Sequence, residues 1–94
     1  KGKDIYSNNC AACHMENGKG ISGAFPALDG SKVVLGPKSG QIDILLNGKG
    51  AMPAWRDSLS DVDIAAVITY TRTSWSNKGA GKGILQPSEI LAAR

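Results

Sequence analysis

Two thiols, one imidazole and one thioether are the side chains of this sequence best suited to chemistry. Cys10, Cys13 and His14 fall in the run Cys10-Ala11-Ala12-Cys13-His14, a C-x-x-C-H pattern, and Met52 lies further along between Ala51 and Pro53. C-x-x-C-H is the attachment signature of c-type haem. Its logic is steric. Each thiol adds across one vinyl group of the porphyrin, the helical turn between the cysteines matches the separation of those groups, and the next residue, His14, comes to sit under the iron. A dithiol redox pair would open a helix that follows a strand, and no βαβ pattern is present. A zinc site would need two more Cys or His ligands, whereas His14 is the only histidine. A disulfide closing so short a loop would add little global stability. The pattern therefore points to one haem held through Cys10 and Cys13, with His14 as an iron ligand.

The sixth iron ligand separates electron transfer from ligand-binding chemistry. Met15 and Met52 are the remaining sulfur candidates. Met15 adjoins His14 and cannot reach the opposite face of the same ring. Met52 sits on a loop bounded by Gly and Pro, far enough along the chain to close over the other side. A packed core Met is the alternative, in a turn position less usual for one. His/Met ligation is the arrangement of electron-transfer cytochromes and raises the reduction potential. With both ligands from the protein there is no open position for substrate. With Met52 displaced, the iron would suit a sensor or peroxidase, and Arg56 would be the side chain to assist a bound peroxide.

Short helices and one long loop must position these groups. A first helix is expected over residues 2–13, with Ile5 and Tyr6 as its bulky apolar residues and the cysteines at its end; Asn8 and Asn9 weaken it. Residues 16–40 show no sustained period of 3.6 or 2 and are rich in Gly, Pro and small polar residues, as befits a long structured loop wrapped around something. A second helix is expected over residues 39–47, where Ile42, Leu45 and Leu46 recur at helical spacing and Gly48 supplies a stop. Pro53 and its flanking glycines then make a turn that presents Met52 and Trp55. The clearest helix spans residues 61–75: Ser60 is a natural N-cap, Asp61 and Asp63 suit the first turn, Arg72 lies toward the other end, and Val62, Ala65, Ala66, Val67, Ile68 and Tyr70 supply a core face. Past Asn77 a Gly/Lys stretch reads as a flexible connection, and Pro87, Ser88 and Glu89 open a short C-terminal helix. The whole chain, 1–94, is expected to be one domain, with a core over about residues 1–77 and the connection and last helix over 78–94.

Size and charge narrow the function further. The 94 residues are 41% hydrophobic but include only one Phe, two Trp and two Tyr, a thin supply for a core, so a large cofactor is a natural staple. Net charge is +3, from 11 Lys and Arg against 8 Asp and Glu, spread along the chain without the basic stripe of a nucleic-acid binder. Two haem propionates would make the loaded protein less basic. No stretch approaches the length of a membrane span. The chain opens at Lys1 rather than Met, so it is expected to be a trimmed or excised piece.

On these residues the chain resembles class I cytochromes c over essentially its whole length. The resemblance implies an all-α fold, short helices and a long loop wrapped around one covalent haem. Gly2 and Tyr6 match the small and aromatic residues of that family's first helix, and Val67 and Tyr70 match a pair on its last core helix; in the family the two helices cross. Phe25-Pro26-Ala27-Leu28 looks like the segment whose proline carbonyl accepts a hydrogen bond from the ligand imidazole. Leu28, Leu45 and Ile68 would line the haem pocket, and the indole N–H of Trp55 would reach a propionate. The run LSDVDIAAVITYTRTSWSN followed by QPSEILAAR is similar to the cytochrome domain fused to subunit II of caa3-type bacterial cytochrome c oxidases. That resemblance implies a domain of a membrane-anchored parent, outside the membrane. Its donor would be a cytochrome c reductase or a small redox protein, and its acceptor the copper centre of the oxidase. A free-standing electron shuttle is the alternative. Thioether attachment implies maturation outside the cytoplasm, in the periplasm or on the outer face of the membrane. Lys19 and Lys49 flank the two ligand segments and would ring the haem edge toward an acidic partner.

Overall fold

The computed structural model describes residues 1–50, 52–78 and 84–94. Among these residues five α-helices follow in order: α1 (Gly2–Asn9), α2 (Ala11–His14), α3 (Lys38–Asn47), α4 (Asp61–Arg72) and α5 (Pro87–Ala93), with a 3₁₀ turn at Trp75–Asn77. No strand occurs among the described residues, only isolated bridges between Ile21 and Phe25 and between Lys49 and Met52. No helix among them is long and apolar enough to cross a membrane.

The expected first helix is divided. Cys10, whose φ of −114° stretches the helical backbone, separates α1 from the single turn of α2, which carries Cys13 and His14. Helix α4 starts where Ser60 caps it, its Oγ accepting from the Asp63 amide at 3.2 Å. It ends at Arg72, sooner than its apolar content predicts, because the Thr73 and Ser74 hydroxyls turn back onto the carbonyls of Thr69 and Tyr70. Val62, expected in the core face, is 47% exposed, and Ile64 is fully buried instead.

Helices α1 and α4 cross at Gly2. A Cβ there would lie 2.9 Å from Tyr70 Cβ and closer still to the Ala66 carbonyl oxygen, so only hydrogen fits. Tyr6, Ile64, Ile68 and Ile90 are fully buried and, with Leu46, form the centre of the core. Tyr6, Tyr70 and Trp75 form an aromatic cluster at its edge, with ring centroids 5.4 to 5.8 Å apart.

The long loop, residues 15–37, is irregular but closely held. Gly18 turns back through φ +71°, and its carbonyl accepts from Leu28 and Asp29 amides at 2.6 and 2.9 Å. The end of α4 and the turn beyond it then fix the loop at three places. Arg72 donates to the carbonyls of Val34 and Gly36 at 2.8 and 3.0 Å. The Trp75 indole donates to the Glu16 carbonyl at 2.9 Å. Asn77 Nδ2 donates to the Leu28 carbonyl at 3.0 Å, while its Oδ1 accepts from the Gly30 amide at 2.7 Å.

The flexible connection expected past Asn77 falls mostly on residues 79–83, which lie outside the described residues, as does Ala51. Asn77 itself is fully buried. Beyond the connection the tail packs on the domain. Leu85 and Ile90 are buried, and Leu91 stays 63% exposed. The Leu85 amide donates to Thr69 Oγ1 at 3.0 Å, and Lys38 pairs with Glu89 at 3.3 Å. A capping box between Gln86 and Glu89 starts α5.

Candidate haem-binding site

Cys10, Cys13, His14 and Met52 line one cavity of about 350 Å³. The short α2 brings the thiols and imidazole to it. Met52 arrives on the turn after α3, where the Met52 amide donates to the Lys49 carbonyl at 2.9 Å and the Lys49 amide donates back at 3.1 Å. Gly48 makes this turn at φ +79°, and a Cβ there would meet the Met52 carbonyl oxygen at 2.6 Å, so the loop lies directly on a bare backbone.

His14 is nearly buried, at 9% exposure, and its Nδ1 is 2.8 Å from the Pro26 carbonyl oxygen. A carbonyl can only accept, so Nδ1 carries the proton and Nε2 keeps its lone pair for a metal. The Pro26 segment is in turn held by Gly20. Its backbone amide donates to the His14 carbonyl at 3.0 Å, and a Cβ would meet the Pro26 carbonyl at 2.6 Å. Burial first, and Cys13 second, push the Cys10 thiol up to about 11, so as a free thiol it stays protonated at neutral pH. Burial likewise raises the Tyr6 phenol, whose hydroxyl donates to the Met15 carbonyl at 2.6 Å.

Pro26, Leu28, Leu45 and Trp55, expected around the group, all line the cavity, as does Ile68. Lys49 lines it as well, whereas Lys19 does not. Arg56 stays away from it, with its guanidinium donating to Asn47 Oδ1 at 3.1 Å. Met15 is exposed and also off the lining. Val34, Gln41 and Thr71 also line the wall, although nothing in the sequence singled them out. Gln41 Nε2 donates to Thr71 Oγ1 at 2.7 Å, and that hydroxyl donates to the Ile68 carbonyl at 2.8 Å. Gln41 and Thr71 read as ordinary helix residues until α3 and α4 face each other.

The donor set fits a covalently attached iron porphyrin. Two thiols three positions apart, an imidazole with its proton held on Nδ1 and a soft thioether all line one apolar-walled cavity. A family model described as cytochrome C oxidase, cbb3-type, subunit III matches residues 1–70. The chain belongs to this family of c-type cytochromes. The cytochrome is 38% identical over 89 residues to the cbb3-type cytochrome c oxidase subunit CcoP of Azospirillum brasilense, a match covering 87% of this chain and 29% of the relative. It is 32% identical over 92 residues to the cytochrome c subunit of the quinone alcohol dehydrogenase of Gluconobacter oxydans (strain 621H), covering 85% of this chain and 19% of that one. The cytochrome thus spans less than a third of either relative. Cytochrome c6 from the diatom Phaeodactylum tricornutum superposes with a TM-score of 0.66 at 31% identity, covering 84% of this chain and 93% of that chain. The family and the all-α class I fold carry covalently bound haem c with its iron, and the cytochrome is an electron-transfer domain rather than a catalyst in its own right.

Proposed function

We propose that Cys10 and Cys13 hold the haem by thioether bonds, that His14 and Met52 are its axial ligands, and that the domain relays single electrons to the redox centre of a membrane oxidoreductase. The observation that carries this reading is the hydrogen bond from His14 Nδ1 to the Pro26 carbonyl, which leaves Nε2 as a ligand on the wall of the cavity that Met52 also lines. When bound, the haem iron takes up one electron and gives it back, alternating between ferric and ferrous states. The chain's own part is positional. The Pro26 carbonyl fixes the imidazole tautomer and orientation, Gly20 and Gly48 let backbone lie against both ligand segments, and Leu28, Leu45, Val34 and Ile68 keep water from the iron.

A terminal oxidase is one acceptor in this reading. Neither curated relative described above is a subunit II protein, so the acceptor is drawn more broadly: CcoP and the alcohol dehydrogenase subunit both belong to larger oxidoreductases. Thioether attachment supports a location in the periplasm or on the outer face of the bacterial cytoplasmic membrane. The second reading, a free-standing shuttle, is favoured by the likeness to cytochrome c6, a chain matched over 93% of its length. An immunoblot of membrane and soluble fractions separates the two. A membrane-bound product much longer than this chain supports the complex, and a soluble product of its own size supports the shuttle. Axial ligation is tested by optical spectra in both redox states. The ferric protein should show the weak long-wavelength band of a methionine sulfur on iron, and Met52→Ala should abolish it. A wild type without that band that binds carbon monoxide at once would overturn the ligand set.

A further inference from the structure

The turn after Met52 is held from outside by the side chain of Arg94, the residue that caps the C-terminal end of α5. Residues 55–59 close on themselves, with the Ser58 and Leu59 amides both donating to the Trp55 carbonyl at 3.2 and 3.0 Å. Upstream, the Trp55 amide anchors the turn to α3 by donating to the Leu45 carbonyl at 2.7 Å. Downstream, two backbone carbonyls of the turn accept from Arg94: that of Arg56 from one terminal nitrogen at 2.6 Å, and that of Leu59 from the other at 2.9 Å. Arg94 Nε completes the arrangement by pairing with Asp61 at 2.5 Å, at the first residue of α4. The Arg94 side chain is about three-quarters covered, at 24% exposure, so its planar fork is set in place rather than waving in water.

The rest of α5 is anchored separately. Ile90 is buried in the core, and Lys38 pairs with Glu89 near the helix start. Arg94 is therefore more than is needed to dock the helix, and its contacts go to the segment that Met52 and Trp55 enter. Glu89, Ile90 and Arg94 all lie beyond residue 70, where the family match ends, whereas the turn that Arg94 holds lies within it. We infer that Arg94 is a positioning residue for the Met52 side of the pocket, holding the 55–59 turn closed and so limiting how often an outside ligand can replace Met52. The inference rests on Met52 being the sixth ligand. A guanidinium is suited to this because its parallel N–H groups can bridge two carbonyls and a carboxylate at once; an ammonium at the same place would keep the charge and lose the bridge.

The test is the rate at which imidazole enters the ferric holoprotein, well below its unfolding temperature, in wild type, Arg94→Ala, Arg94→Lys and Lys38→Ala. The last variant cuts the other polar tether of α5 and controls for general loosening of the helix. Arg94→Ala should raise the entry rate about tenfold, Arg94→Lys should fall between it and wild type, and Lys38→Ala should leave the rate near wild type, whatever each does to melting temperature. Equal acceleration by Arg94→Ala and Lys38→Ala, or none by Arg94→Ala, would overturn the inference. A wild-type ferric spectrum that lacks the methionine–iron band would instead overturn the ligand reading beneath it. The same spectra therefore tell the two failures apart.

Discussion

Asn77 satisfies three backbone groups at once: the carbonyls of Leu28 and Thr71 through Nδ2, and the Gly30 amide through Oδ1. Its amide is fully buried, so water cannot replace these bonds if it is cut away. Asn77→Ala should therefore cost the holoprotein about 3 kcal/mol, read as a lowered guanidinium midpoint with an unchanged slope, since an orphaned buried group costs about 1 to 3 kcal/mol. In the sequence Asn77 is indistinguishable from a turn residue ahead of a Gly/Lys stretch, because its loop partners are 47 and 49 positions away. Cys10, Cys13 and His14 are legible for the opposite reason. A porphyrin demands its two thiols and its imidazole at contiguous positions, so that chemistry is written locally. Met52 stands out in the sequence as the sulfur candidate on a Gly/Pro turn, and it does line the cavity, whereas Pro26, Leu28, Leu45 and Trp55 needed a family likeness to single them out.

At the scale of elements, α5 draws part of its anchorage from a titratable pair. The Gln86 amide donates to Glu89 Oε2 at 2.7 Å and Lys38 Nζ donates to Glu89 Oε1 at 3.3 Å; the backbone bond first, and then Lys38, hold this carboxyl below its ordinary value. A carboxyl lowered in the folded state adds stability above its unfolded pKa and loses it as pH falls through its folded one. Glu89→Gln should thus lower the melting temperature at neutral pH. The difference from wild type should shrink as the solution is acidified below the carboxylate range. A difference that persists unchanged in acid would remove the Glu89 charge from the account. Helices α3, α4 and α5 are readable in the sequence because caps and apolar spacing mark them: Ser60 before α4, Gly48 after α3, Pro87 opening α5. The break at Cys10 and the early end of α4 are not: α4 stops where the Thr73 and Ser74 hydroxyls turn back onto its own carbonyls, a competition that apolar spacing does not reveal. Gly2 is readable as a small residue, but its necessity comes from the approach of Ala66 and Tyr70.

For the molecule as a whole, charge near the cavity should govern how it meets other redox agents. Lys49 lines the cavity, whereas Lys19 does not, so Lys49 is the better placed to act on a reagent approaching the haem edge. At low salt Lys49→Glu should slow reduction of an anionic reagent such as ferricyanide by about threefold and speed that of a cationic ruthenium hexaammine. Both effects should fade as ionic strength rises, because the screening length drops to about 10 Å at 0.1 M. Stopped-flow rates that ignore the substitution would take Lys49 off the reactive edge. The three anchors of the long loop, at Arg72, Trp75 and Asn77, come from sequence far beyond it. During folding, then, the turn that carries Cys13 and His14 can form well before the distant residues that fasten the loop beside it, because closing so large a span is slow relative to local helix formation. The segment around Cys10, Cys13 and His14 stays open until residues 72–77 reach the loop, an interval in which a porphyrin and the machinery that delivers it can reach the thiols from the side later sealed.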